Sequence, residues 1–256
     1  MAKKNGNDYV LFGIDFGANE KQRELIKAVR ADPRRKPVVF VSGEAGTGKT
    51  FASLAASLSL VREHGAKKHS YECIYYIREP VEVGHRLGYL KGKEEDKFAP
   101  YLGPLIDNYN HLVENDPDAQ RYLRQPSKKG KEDADDLPNE YRHLPYDIIP
   151  LAPEFLRGRS FRDCIIICDE AQNMDLSELH TLVTRIGEGV KLIIIGSANQ
   201  IDTLGQTYED NAFMTSIEIL KETGLTDHIR LVEPMRSSFV AEFDRLFVEY
   251  AITHKK

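Results

Sequence analysis

Four β-favouring residues, Val38-Val39-Phe40-Val41, run through Ser42 into Gly43-Glu44-Ala45-Gly46-Thr47-Gly48-Lys49-Thr50, and Phe51 to Leu58 then reads as helix. Strand, Gly-xxxx-Gly-Lys-Thr, helix is the setting in which this motif binds phosphate. The glycines let the backbone wrap an anion, so that successive N–H groups and the positive end of the helix face it. Lys49 supplies a point charge for the β- and γ-phosphates, and the Thr50 hydroxyl is placed to ligate Mg²⁺. A loop of this kind commits the chain to a parallel α/β sheet and to a nucleoside triphosphate as ligand.

The rest of the chain is consistent with that commitment. Its 256 residues suffice for one large α/β domain or two small ones. No run approaches the roughly 18 apolar residues that a membrane helix needs, and the N-terminal Met-Ala-Lys-Lys-Asn-Gly-Asn lacks the apolar core of a secretory signal. Cys73, Cys164 and Cys168 lie in apolar runs without zinc spacing and read as buried thiols in a reducing cytoplasm. The net charge of −5 is unevenly spread. Residues 1–68 carry 13 Lys/Arg against 7 Asp/Glu, an excess of +6 that leaves −11 for the remainder. An acidic chain does not coat nucleic acid indiscriminately, although a local basic channel remains open to it.

Residues 1–18 are expected to be an irregular lead-in. A helix follows from Asn19, its N-cap, with Gln22 at the third position of a capping box. Strand expectations fall on 38–41, 71–78, 164–170, 190–196 and 229–232, with a short extended piece at 148–152. Helices are expected at 176–186, capped by Asp175 or Ser177, and at 214–222 and 239–252. Residues 93–123 read as helix broken by Pro100, Pro104 and Pro117, and 125–140 as a charged, mobile insertion. Five apolar strands alternating with helices predict one domain over 1–256, a parallel sheet covered on both faces.

Cys164-Ile165-Ile166-Ile167-Cys168 runs into Asp169-Glu170. An Asp at the carboxyl end of a strand neighbouring the phosphate loop holds Mg²⁺ through its water shell, and the next Glu polarises the attacking water. The strand 190–195 ends in Gly196-Ser197-Ala198-Asn199-Gln200, which makes Asn199 and Gln200 candidate sensors of the γ-phosphate; a plain turn is the alternative.

Asp169-Glu170-Ala171-Gln172 resembles the second motif of superfamily 1 helicase-type ATPases, and Gly196–Gln200 resembles their Gly-Asp-x-x-Gln motif. The stretches Arg78–Gly92, Pro100–Asp107, Leu156-Arg157-Gly158-Arg159-Ser160, Thr184–Gly189 and Gln200-Ile201-Asp202 resemble the PhoH-like, phosphate-starvation-inducible ATPase family over roughly residues 19 to 250. The resemblance implies a single RecA-like core, ATP hydrolysis with Mg²⁺, and work on RNA or single-stranded nucleic acid. A lone core must complete its site from a neighbouring subunit, which implies a homo-oligomeric ring, a hexamer in the first instance. It also implies an adenine-reading role for Gln22, where helix capping is the alternative, and an arginine-finger role for Arg236, where a surface ion pair is the alternative. Ser197 departs from the family, which usually has Asp there, and so removes one carboxylate near the metal.

These readings make Lys49, Glu170, Gln200 and Arg236 the catalytic set, Gln22 and Gly43–Thr50 (Gly43, Glu44, Ala45, Gly46, Thr47, Gly48, Lys49, Thr50) the nucleotide cradle, and Thr50 with Asp169 the metal ligands. Arg78, Arg86, Arg157, Arg159 and Arg185, with Tyr89 and Phe155 or Phe161 near them, have the pairing of guanidinium and aromatic that suits single strands. A nucleotide-dependent switch that binds a protein partner is the competing function. A small-molecule kinase fits less well, because a Glu placed for water favours hydrolysis.

Overall fold

The structure is a computed structural model that describes residues 8–62, 71–79, 102–116, 148–197, 211–235 and 246. Gln200, Arg236, Arg86, Tyr89, the 125–140 stretch and nearly all of the expected helix 239–252 lie outside the described residues.

The apolar runs at 38–43, 165–169 and 191–196 are continuous because both of their faces are covered. They are β3, β6 and β7 of a six-stranded, all-parallel sheet completed by β4 (Ile74–Arg78), β5 (Ile148–Leu151) and β8 (Thr226–Leu231). The spatial order is β5-β4-β6-β7-β3-β8. On one face lie α1 (Glu20–Arg30), α2 (Lys49–Arg62) and α3 (Gly103–Asn115), packed on Val39, Val41, Ile74, Tyr76, Ile165, Ile167, Ile193 and Ile195. The other face holds α4 (Leu176–Thr184) and α5 (Ala212–Lys221) over Phe40, Ile77, Ile166, Cys168, Leu192 and Ile194. The expected fold class, a parallel α/β sheet covered on both faces, is the one observed.

Three sequence expectations need correcting. Residues 10–11 and 14–15 form a two-stranded antiparallel ribbon (β1 and β2) where an irregular lead-in was expected. Phe12 and Gly13, both at positive φ, supply the turn whose twist matches such a ribbon, and Phe16, wholly buried, anchors it against the Phe51 ring. The extended piece at 148–151 is a sixth strand, and its Pro150 is tolerated because β5 lies at the edge of the sheet. Finally, the strand that ends in Asp169 does not adjoin β3. β7 lies between them, hydrogen-bonded to both.

At α1 only one half of the expected capping box forms, and at α4 the whole box does. Asn19 accepts the Gln22 N–H at 3.0 Å. At α4 the choice between Asp175 and Ser177 falls to Asp175, which accepts the Glu178 N–H while Glu178 accepts the Asp175 N–H, both at 2.8 Å. At the end of β7, Gly196 is packed so closely that a Cβ there would meet the Phe213 ring at 2.9 Å. Phe213 in turn rests edge-on against Phe40. Gly196→Ala is therefore expected to destabilise the fold by about 1–3 kcal/mol through overpacking, measured as a lower urea midpoint with an unchanged slope.

Candidate active site

The phosphate loop owes its shape to backbone that only glycine adopts easily. Gly43, at the end of β3, has φ +149°, and a Cβ on it would lie 2.3 Å from the Leu231 carbonyl oxygen of β8. Gly46 and Gly48 follow at φ +76° and +80°. The buried Thr47 donates its hydroxyl to the Glu44 carbonyl at 2.9 Å. The Lys49 ammonium curls over the loop and donates to the carbonyls of Gly43 at 2.8 Å and Glu44 at 2.9 Å. Lys49 begins α2, so the positive end of that helix opens onto the loop.

Across the intervening β7, the Thr50 hydroxyl reaches Asp169, donating at 3.0 Å to Oδ1 and 3.2 Å to Oδ2. α2 closes the gap that strand adjacency would have closed. Asp169 is buried, and it gathers further donors. The Tyr76 phenol donates to Oδ2 at 2.6 Å and the Glu170 N–H to Oδ1 at 3.1 Å. The Arg78 guanidinium stands 3.7 Å from Oδ2. Burial, then the Glu170 charge, raise the Asp169 pKa above the usual carboxylate value, against the pull of Tyr76, Arg78 and Thr50.

Glu170 breaks the strand abruptly. Its φ of 55° and ψ of 38° are left-handed, a conformation that costs a non-glycine residue roughly 1–2 kcal/mol and that gathers at functional sites. Its Oε2 accepts the Gln172 amide at 2.6 Å, and its Oε1 faces Arg78 at 3.7 Å. Gln172 is wholly buried, and its carbonyl accepts the Ser197 N–H at 3.0 Å. Position 197 thus contributes a backbone donor to the site whatever its side chain.

Gln22 lies against the same loop, its amide nitrogen 3.3 Å from where a Cβ on Gly48 would sit. That nitrogen is buried and has no hydrogen-bond partner, a state that costs about 1–3 kcal/mol unless something relieves it. The chain leaving β8 also packs on the loop, Met235 meeting the same Gly48 position as Gln22. The Met235 N–H donates to the Gly46 carbonyl at 2.8 Å, and Glu233 accepts from the Asn19 side chain at 2.7 Å.

Among the described members of the expected arginine set, Arg78 and Arg185 stand apart. Arg78 ends β4 at the carboxyl edge of the sheet, beside Asp169 and Glu170. Arg185 ends α4 where Phe161 and Ile186 bridge ahead of β6 and β7, so a strand of roughly 17 Å separates the two. Arg157 and Arg159 are exposed on the connection leading to Phe161. Phe161 is no stacking platform: it is buried, with its ring edge-on to Tyr75 at 4.9 Å.

A family model for PhoH-like proteins matches residues 16–247. The chain belongs to the PhoH-like family. Within it, Protein PhoH2 of Bacillus subtilis (strain 168) is 33% identical over 204 residues, 78% of this chain and 41% of the relative. Protein PhoH of Escherichia coli (strain K12) is 32% identical over 186 residues, 72% and 44% of the two chains. This chain thus spans about half the length of the curated PhoH-like relatives it matches. A solved structure with detectable likeness is the HK97 bacteriophage large terminase, at TM-score 0.45 and 14% identity over 82% of this chain and 39% of that one. Among the described residues no helix is long and apolar enough to cross a membrane.

Tyr76 and Gln172 are the site residues to which sequence reasoning gave no role. The signal for Gln172 was available: an amide two residues beyond Glu170, ahead of a helix cap, must be exposed or bonded to something. For Tyr76 there was only a pair of adjacent tyrosines in an apolar strand.

Proposed function

We propose that this chain hydrolyses ATP with Mg²⁺ and couples the reaction to single-stranded RNA or DNA. The observation that carries the hydrolytic reading is the Thr50–Asp169 contact at 3.0 Å with Glu170 next in the chain. It joins the phosphate loop to a carboxylate pair. A hydroxyl beside a buried carboxylate is a fitting donor set for Mg²⁺, which takes one or two protein oxygens and completes its shell with phosphate oxygens and water. Thr50 and Asp169 would hold the metal, which when bound would offset the negative charge of the phosphates.

The remaining steps belong to the chain's own groups. The Gly43–Thr50 backbone and Lys49 hold the β- and γ-phosphates, Lys49 leaving its two loop carbonyls to do so. Glu170 orients a water in line with the γ-phosphorus and accepts its proton as the O–P bond forms and the bond to ADP breaks. Gln172 keeps the Glu170 side chain in place, and Gln200 is the proposed γ-phosphate sensor. The unpartnered Gln22 amide supports its assignment to the adenine base. Gln22→Ala is expected to raise KM for ATP roughly 10-fold with kcat nearly unchanged and the fold intact, as steady-state kinetics on ATP and GTP would show. Arg236 follows Met235, whose backbone is bonded to the loop, and that supports its role as an arginine finger.

The nucleic-acid half rests on the family and on the exposed Arg157 and Arg159. The deciding measurement is the ATPase rate with and without poly-uridine or single-stranded DNA at low salt, on a sample whose mass has been measured for the proposed ring. No stimulation and no binding would replace this half with the protein-interaction switch.

A further inference from the structure

Arg78 has no step in the hydrolysis derived above, yet it is in contact with both acidic residues. Its Nη1 lies 3.7 Å from Asp169 Oδ2 and its Nη2 3.7 Å from Glu170 Oε1. A base must turn a free oxygen toward its water. Glu170 has two. Oε2 is engaged at 2.6 Å by Gln172, a fully buried amide itself fixed by the Ser197 N–H, so that bond is part of the fold. Oε1 is the oxygen left for water, and Arg78 stands over it.

We propose that Arg78 is a positioning residue that restrains Glu170, and that a phosphate diester of single-stranded nucleic acid releases the restraint by taking the guanidinium. This deepens the proposed function and rests on it. The contact is long enough to be given up, whereas the Gln172 bond is not. The Arg78 side chain keeps 21% of its surface exposed against 3% for Asp169, so an anion from solvent can reach it. A guanidinium fork fits a phosphate as well as it fits a carboxylate pair. Its place at the end of β4, at the same edge of the sheet as the phosphate loop, puts the exchange beside the reacting group.

The test is Arg78→Gln, assayed beside wild type and Glu170→Gln. Without nucleic acid, kcat is expected to rise roughly 5-fold, the upper range for a partly exposed ion pair. Stimulation by poly-uridine should shrink by the same factor. Tm should fall as well, because two carboxylates lose the cation they share. A merely structural Arg78 would lower kcat together with Tm, and that result, or an unchanged basal kcat, overturns the restraint. Arg78→Lys keeps the charge but cannot span both carboxylates, so its basal rate should lie between the two. If Arg78→Gln does not fold, a basal rate for Arg78→Lys at or below wild type overturns the proposal alone. Wild-type turnover by Glu170→Gln would remove the base assignment and the restraint with it. A wild type indifferent to poly-uridine would remove the release step and the nucleic-acid reading. If Glu170→Gln is slow and poly-uridine stimulates wild type, but Arg78→Gln is no faster than wild type, only the restraint falls.

Discussion

Glu170→Gln is expected to leave ATP bound and to slow its hydrolysis by about 10²–10⁴-fold, the usual contribution of a positioned general base. The substitution changes one atom. The new amide oxygen can still accept from Gln172, which donates to Oε2 at 2.6 Å in the wild type. The left-handed backbone at position 170 and the Asp169 cluster, with its Tyr76, Thr50 and Glu170 N–H donors, need not move. Nucleotide affinity, which the phosphate loop is proposed to supply, should therefore stay within about 10-fold of wild type, since a displaced hydrogen bond is worth about 0.5–1.5 kcal/mol. Single-turnover hydrolysis and a fluorescent-nucleotide titration on the same sample measure the two quantities separately. Hydrolysis at the wild-type rate would show that another group handles the proton. Loss of binding would show that Glu170 supports the loop and does no chemistry.

What could be read from the sequence was whatever is local. The phosphate loop was legible because a run of Gly residues with positive φ leaves its signature in eight consecutive positions, and Asp169-Glu170 because a strand that is buried on both faces must end at its first charges. Adjacency was not legible. Nothing within 165–169 or 191–196 says which of the two pairs with β3, since both are apolar apart from Asp169 and Lys191 at their ends and both fit; the choice is made by crossovers and by how the helices cover the sheet. The arginines failed for the same reason. Arg78 and Arg185 belong to the same residue type in similar loop settings, yet chain direction through β6 and α4 puts them at opposite ends of the sheet. Tyr75 and Tyr76 show how fine the distinction becomes. One residue of strand register sends Tyr75 to the α4–α5 face against Phe161 and Tyr76 to the other face, where its hydroxyl meets Asp169. Gln172 joins the ends of β6 and β7 through a side chain, a link that no periodicity encodes.

Lys49→Ala should separate binding from chemistry in the opposite sense to Glu170→Gln. The ammonium rests on the Gly43 and Glu44 carbonyls, and its proposed role is to exchange those bonds for bonds to phosphate when ATP binds. A charged hydrogen bond of that kind contributes about 1.5–3 kcal/mol, so affinity for ATP should fall by roughly 10²-fold. The unliganded fold should barely change, because the loop is also held by the Thr47 hydroxyl on Glu44, by Met235 on Gly46 and by the glycine backbone itself. The contrast is best read as a thermal shift. A ligand at about 100 times its Kd stabilises a protein by roughly 2.7 kcal/mol. At one such ATP concentration wild type and Glu170→Gln should both gain a Tm increase that Lys49→Ala lacks almost entirely. If Lys49→Ala is stabilised as strongly as the other two, the phosphates are held by the loop backbone and the helix terminus alone, and Lys49 acts only in the chemical step. In that case its kcat, measured at saturating ATP, must carry the whole loss.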